Sequence, residues 1–324
     1  MRRVTLGGTG IETSCLGFGC ASLGSRVAEA PGRAALAAAF EAGVTWFDLA
    51  PIYGGGRAEE IAGAFLRGRR AEVQICTKVG LVPAGGSGLG GGLKAALMPL
   101  ARQAVRAVPP LRGLLRRSGV QAARPVPLTP ELVTGSLEAS LGRLGTDHVD
   151  LYALHAAPAA ALADEAVLRA LEGILASGKA RAVAVASGAA AARAAIARGA
   201  PFGAVQLALP APGAPADVLA EAAAAGFGTL VHSVFGVEGS FAALRARAGA
   251  DPGLRAMLGG AAGASDEVLA RLLLERAFAL NPGGVVLVSM FSATSRRRNL
   301  AVAAAPPPAG PSPLDRLPPP DRAA

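Results

Sequence analysis

What most constrains this chain is a rhythm. Counting from Ser14, eight short apolar runs recur at 14–20, 44–50, 73–79, 149–155, 180–187, 204–209, 229–235 and 285–290. Each is followed by a stretch whose apolar residues fall at helical spacing, as with Leu132, Val133, Leu137, Leu141 and Leu144 after Thr129-Pro130. There a Thr N-cap and a Pro at the first helical position mark the start, and Gly145 marks the end. Strands joined through helices run parallel. With crossovers of one hand and a count of eight, the predicted fold class is α/β, a closed (β/α)8 TIM barrel. Ahead of it, residues 2–13, punctuated by Gly7, Gly8 and Gly10, read as an N-terminal hairpin. One barrel domain over 1–305 is expected, with the Pro-rich stretch 306–324 as a disordered or surface-hugging tail.

The rhythm breaks once, at residues 81–128, directly after the third strand. Residues 83–92 are Gly-rich. Leu93 to Val108 has helical spacing interrupted by Pro99, and Leu111 to Ser118 is a short basic amphipathic piece beyond Pro109-Pro110. This one insertion carries seven Lys and Arg and no Asp or Glu, out of a net charge of +9 for the chain. The rest is therefore near neutral, so overall basicity gives no argument for a nucleic-acid partner. Three readings stand: a lid over the barrel mouth favouring acidic or phosphorylated substrates, a basic surface for anionic membranes, or a tolerated insertion whose arginines aid solubility. Pro99 and Pro109-Pro110 break the long helix a membrane surface wants, which favours the lid over the membrane contact.

Composition sets the texture of the core. Hydrophobic residues make up 52% but aromatics only 4%, so the interior must be built from small side chains and close backbone packing. Cys15, Cys20 and Cys76 are odd in number and lack metal-ligand spacing, which suits a reducing compartment. The N-terminus shows no secretory pattern and no apolar run approaches the ~18–20 residues of a membrane span. A cytoplasmic location is expected.

In a barrel of this kind chemistry sits at the C-terminal strand ends. Asp48 ends the second strand, Tyr53 follows in a turn with Gly54, Gly55 and Gly56, Lys78 ends the third strand and His155 the fourth. Taken singly, each has a plain structural reading: a turn-capping Asp, a covering Tyr, a Lys snorkelling to the rim, a satisfied His. Jointly they place four ionisable side chains in one mouth. A carboxylate keeps a buried Lys charged, and a charged Lys draws a neighbouring phenol below its usual value of about 10, so the expectation is a phenol that exchanges protons near neutrality.

These residues lie in Gly43-Val-Thr-Trp-Phe-Asp-Leu-Ala-Pro-Ile-Tyr-Gly54, with Glu59 and Gly63, in Cys76-Thr-Lys-Val-Gly80, and in the run from Ser140 to His155 that closes with Asp-Leu-Tyr-Ala-Leu-His. On those motifs the chain resembles the aldo-keto reductase family over nearly its whole length, apart from 81–128 and the tail. The resemblance implies hydride transfer between a nicotinamide dinucleotide and a small carbonyl or alcohol. It makes Tyr53 the proton donor or acceptor, with Lys78 tuning it, Asp48 anchoring Lys78 and His155 orienting the carbonyl oxygen. On the cofactor side it implies Ser187, Gln206, His232, Ser233 and Asn299. Gly188 stands where Asn is usual and Ser289 where Gly or Lys is usual. Ser292 with Arg296 and Arg297 reads as a site for a 2′-phosphate at a helix N-terminus, which favours NADPH with NADH admitted; Arg296 to Arg298 read equally as a solvated helix face. No G-x-G-x-x-G follows a strand, so no Rossmann domain is implied. Three His without paired spacing give no metal site. A second reading on the same barrel is a catalytically weak regulatory subunit that senses nicotinamide.

Overall fold

A computed structural model describes residues 1–83, 123–210, 215–236, 240–257, 265–307 and 312–316. Strands β1 (Arg3–Thr5) and β2 (Glu12–Ser14) pair antiparallel. Beyond them β3 (Leu16–Gly19), β4 (Trp46–Asp48) and β5 (Gln74–Val79) begin the barrel. Next in sequence, β6 (Leu81–Pro83) and β7 (Ala123–Pro125) pair with each other outside it. The barrel continues with β8 (Val149–His155), β9 (Ala180–Ala186), β10 (Phe202–Ala208), β11 (Gly228–His232) and β12 (Val285–Val288), and β12 closes parallel onto β3. The eight-stranded count and its order are those the sequence predicts.

The interior confirms the small-residue expectation. Leu6, Ile11, Trp46, Cys76, Leu151, Ala153, Ala182, Ala184, Ala204, Leu230 and Val285 form one buried cluster. Its alanines lie on adjacent strands, and the bulk comes from Trp46 and from the hairpin, whose Leu6 and Ile11 plug the N-terminal end. A second cluster lies between strands and helices, where Phe47, Ile75, Tyr152, Val183 and Val205 meet the helical layer.

That layer comprises α1 (Glu29–Glu41), α2 (Arg57–Leu66), α3 (Pro130–Leu144), α4 (Glu165–Ala176), α5 (Ala189–Arg198), α6 (Ala216–Ala224), α7 (Ser240–Ala250), α8 (Pro252–Met257), α9 (Asp266–Leu280) and α10 (Ala293–Ala304). Thr129 caps α3 by accepting from the Leu132 amide, and Gly145 leaves it in the left-handed region at φ 65°. Differences from the sequence reading have local causes. Helix α1 starts at Glu29 rather than Gly32, because Pro31 falls in the first turn, where its missing N–H costs nothing. Strand β11 stops at His232 rather than Phe235, because Ser233 turns left-handed at φ 55°. Helices α7 and α8 fill a stretch to which the rhythm assigned no element. The helices expected at 93–108 and 111–118 lie outside the described residues, but β6 and β7 show that the insertion leaves and rejoins the barrel through one antiparallel pair. Within the Pro-rich stretch, Pro313–Arg316 makes a 3-10 turn whose Leu314 is fully buried. No helix among the described residues is long and apolar enough to cross a membrane.

Candidate functional site

Period-two alternation brings the site together. Side chains two apart on a strand share a face, so each residue two positions beyond an interior one rises to the mouth on the same side. Trp46 leads to Asp48, Cys76 to Lys78, Ala153 to His155, Ala204 to Gln206 and Leu230 to His232. The mouth they form is a cleft of about 280 Å³ lined in part by Asp48, Tyr53, His155, Gln206, His232 and Ser233. Lys78 lies buried behind it.

The Lys78 Nζ donates to Asp48 Oδ2 at 2.7 Å and to the Leu49 carbonyl at 2.7 Å. It stands 5.2 Å from the centroid of the Tyr53 ring. The His155 ring meets Tyr53 edge-on, with centroids 6.4 Å apart. Tyr53 is held there by a turn only glycine can make: Gly54, Gly55 and Gly56 all have positive φ, and a Cβ on Gly54 would come 2.8 Å from the Leu23 carbonyl oxygen. Two non-glycine residues also adopt φ 55°, Ala156 directly after His155 and Ser233 directly after His232. Backbone strain of this kind collects at functional sites.

Electrostatics correct one sequence expectation. Burial pushes the Tyr53 phenol up to about 12; Lys78 pulls it down, but Asp48 and Cys76 oppose that pull. The phenol therefore stays protonated at neutrality: burial outweighs the pull of Lys78, and the carboxylate that keeps Lys78 charged also repels a phenolate. For Lys78 itself burial acts to remove the proton, but Asp48, Tyr53 and Cys76 together outweigh it and hold the ammonium above the usual lysine range. His155 is pushed down to about 3, by burial first and then by Lys78 and His232, so its ring is neutral. Burial also lowers His232.

The other predicted residues divide. Gln206 is buried with its Oε1 unpartnered among the described residues, and Asn299, fully buried on α10, has an unpartnered Nδ2. These are one open acceptor and one open donor, and buried polar atoms of this kind call for a ligand or water. His232 Nδ1 and Ser233 Oγ hydrogen-bond each other at 2.9 Å on the cleft wall. Outside that lining, the Ser187 hydroxyl donates to the Ala157 carbonyl at 2.8 Å. Ser292 caps α10 by accepting from the Ser295 amide. Arg296 donates to the Met290 carbonyl at 3.3 Å, whereas Arg298 is committed to Glu267 and sits over the Phe235 ring. Arg297 is exposed. Arg26 and Phe235 also line the cleft; each sits in a connection without a motif, so the sequence alone does not single them out. Glu59, part of the motif that follows Tyr53, is fully buried and accepts from Thr77 Oγ1 at 2.6 Å and Arg143 Nε at 2.7 Å, tying α2 to β5 and α3. Among the described residues no group of three or more His, Cys, Asp or Glu is placed to hold a metal ion.

A closed parallel barrel with an ionisable cluster at its C-terminal mouth defines the class, and comparison with known proteins places the chain within it. The model of the Aldo/keto reductase family matches residues 15–249, well over half the sequence, and the chain belongs to that family. It is 31% identical over 191 residues to 6-dehydroglucose reductase of Agrobacterium fabrum, covering 57% of this chain and 53% of that protein. It is 42% identical over 78 residues to pyridoxal 4-dehydrogenase of Microbacterium luteolum, covering 23% of each. The matched region thus spans about half or less of these curated relatives. Among solved structures, aldo-keto reductase AKR11C1 from Bacillus halodurans superposes with a TM-score of 0.67 at 21% identity, over 95% of this chain and 92% of that one.

Proposed function

We propose that the protein is an NAD(P)H-dependent oxidoreductase that interconverts a small aldehyde or ketone and its alcohol. The observation that carries the reading is the Asp48–Lys78–Tyr53–His155 cluster: a buried 2.7 Å ion pair behind a protonated phenol, with a neutral imidazole edge-on to it, all at one cleft. Family membership supports it. When bound, the nicotinamide cofactor supplies or accepts the hydride.

The chain's own residues handle the proton. In reduction Tyr53 donates to the carbonyl oxygen as negative charge develops there, and Lys78 stabilises the phenolate left behind. Asp48 and the Leu49 carbonyl fix the Lys78 ammonium in place. His155, being neutral, offers one N–H to the same oxygen and orients it. The open Gln206 acceptor suits a carboxamide N–H₂, and the open Asn299 donor suits a ring nitrogen of adenine, so the residues present fit the cofactor. His232 and Ser233, on the cleft wall, complete the nicotinamide side. Arg296 and Arg297, beside the capped start of α10, suit a 2′-phosphate, which favours NADPH.

The test is a carbonyl panel with NADPH and NADH, run with the wild type and Tyr53→Phe. Loss of the acid is expected to lower turnover about 10²–10⁴-fold while cofactor affinity, read by fluorescence titration, stays nearly constant. Retention of more than about a tenth of turnover would remove Tyr53 from the role.

A further inference from the structure

We infer that Arg26 makes this cleft selective for carbonyl substrates that carry an anion of their own, a carboxylate or a phosphate. The inference rests on the reductase reading above and adds the substrate class.

Arg26 lies in the connection after β3 and lines the cleft together with Asp48, Tyr53 and His155. That connection is built, not loose. The Leu23 amide donates to the Cys20 carbonyl, Val27 to Ser22 and Gly24 to Val27, each at 2.9 Å. It is fastened to the site on two sides: the Cys20 amide donates to the Asp48 carbonyl at 3.0 Å, and Gly54, next to Tyr53, packs on the backbone of Leu23 and Gly24.

The guanidinium is aimed by a single group. Its Nε and Nη2 donate to the buried Ser22 hydroxyl at 3.2 and 2.7 Å. Of the five N–H donors on Arg this leaves about three, and a hydroxyl neutralises no charge. Among the described residues no carboxylate pairs with Arg26, whereas nearby Arg57 pairs with Glu29 and Arg143 with Glu59. Among the described residues the other charges at the mouth cancel, Lys78 against Asp48, and Asp48 is the only acid in the lining. With His155 neutral, the described residues leave the cleft one uncompensated cation whose planar fork matches a carboxylate or phosphate.

The same chemistry could serve the diphosphate of the cofactor, so the test separates the two. 4-Carboxybenzaldehyde and 4-methylbenzaldehyde, close in size and different in charge, are compared as substrates of the wild type, Arg26→Ala and Arg26→Lys. The wild type is expected to favour the carboxylate by about 10-fold or more in kcat/KM. Arg26→Ala should lose about 10–100-fold on that substrate, mainly through KM, and less than about threefold on the neutral one, with part of the loss recovered by Arg26→Lys. NADPH affinity, measured by fluorescence quenching, should not change. A weaker NADPH complex in Arg26→Ala assigns the guanidinium to the cofactor and overturns the inference, as do equal kcat/KM values that the substitution leaves alone. If no form reduces either aldehyde, the reductase reading fails, and calorimetric titration with 4-(hydroxymethyl)benzoate decides for Arg26 separately. Binding by wild type but not by Arg26→Ala supports the anion site; absence of binding, or equal binding by both, overturns it.

Discussion

Tyr53 and Lys78 are both buried and both hold their protons, the phenol through burial first and with help from Asp48, the ammonium because Asp48, Tyr53 and Cys76 outweigh burial. In the proposed reaction the phenol, pushed up to about 12 in the free protein, is an acid ready for reduction and a base scarcely present for oxidation. Reduction, which needs the protonated phenol, should therefore show a flat kcat/KM from about pH 6 to 9, the profile that reports the free enzyme. Oxidation needs the phenolate, whose fraction rises about tenfold per pH unit below the pKa, so its log kcat/KM should climb with unit slope across the same range. A plateau in oxidation near pH 7–8 would instead mean that Lys78 prevails over burial. The sequence led to the four residues because strand parity and strand ends are visible in it. It did not lead to the pKa, since the sign depends on how fully the ring is covered and how near Asp48 lies. Nor did it mark Arg26, whose interest is the lack of an acidic partner among the described residues, a fact only three dimensions supply. For Ser187 the family motif, and for Ser292 the helix N-terminus, suggested cofactor ligands; in the structure the Ser187 hydroxyl donates to the Ala157 carbonyl and Ser292 caps α10.

Helix α2 joins the site to the outer layer through Glu59 and Gly63. A Cβ at Gly63 would lie 2.7 Å from the carbonyl oxygens of both Arg143 and Leu144, and backbone atoms have nowhere to go. Gly63→Ala is thus expected to destabilise by about 1–3 kcal/mol through overpacking, despite the better helix propensity of Ala. Gly135, in α3 with nothing within 4 Å of its Cβ position, is the contrasting case: Gly135→Ala should stabilise by about 0.5–1 kcal/mol. Urea unfolding of the two variants reads both signs; a destabilised Gly135→Ala would defeat the contrast. Helix α10 carries the cofactor expectation. With Arg298 committed to Glu267, replacing Arg296 and Arg297 by Ala should weaken NADPH and leave NADH almost unchanged in fluorescence titration. Equal losses for the two would make these arginines a solvated face. At this scale the helices with clear caps and periodicity, such as α3, were legible to within a residue. Helices α7 and α8 were not, because their Ala- and Gly-rich composition gives little periodic contrast between faces.

The molecule is polarised along its barrel axis. Its C-terminal mouth holds the polar cluster, and its N-terminal end is sealed by chain termini. The β1–β2 hairpin drives Leu6 and Ile11 into the barrel interior, and the Gly8 amide donates to the Gly226 carbonyl at 2.7 Å. Arg2 reaches across to donate to the Ala303 carbonyl at 3.2 Å and lies 5.1 Å from the centre of the Phe278 ring, so the beginning of the chain grips its last two helices. The 3-10 turn at Pro313–Arg316 extends this closure: Leu314 is fully buried and Asp315 accepts from Arg276 on α9. In barrels of this type the end away from the mouth serves stability rather than catalysis. Leu314→Ala should therefore cost about 2–4 kcal/mol, the usual range for emptying a buried leucine site, and lower the Tm. Being remote from Tyr53 and Lys78, it should leave kcat and KM at 25 °C unchanged. Thermal unfolding and steady-state kinetics on one preparation separate the two effects: altered kinetics at unchanged Tm would connect the C-terminal turn to the cleft, and an unchanged Tm with unchanged kinetics would mean that Leu314 leaves its site without loss.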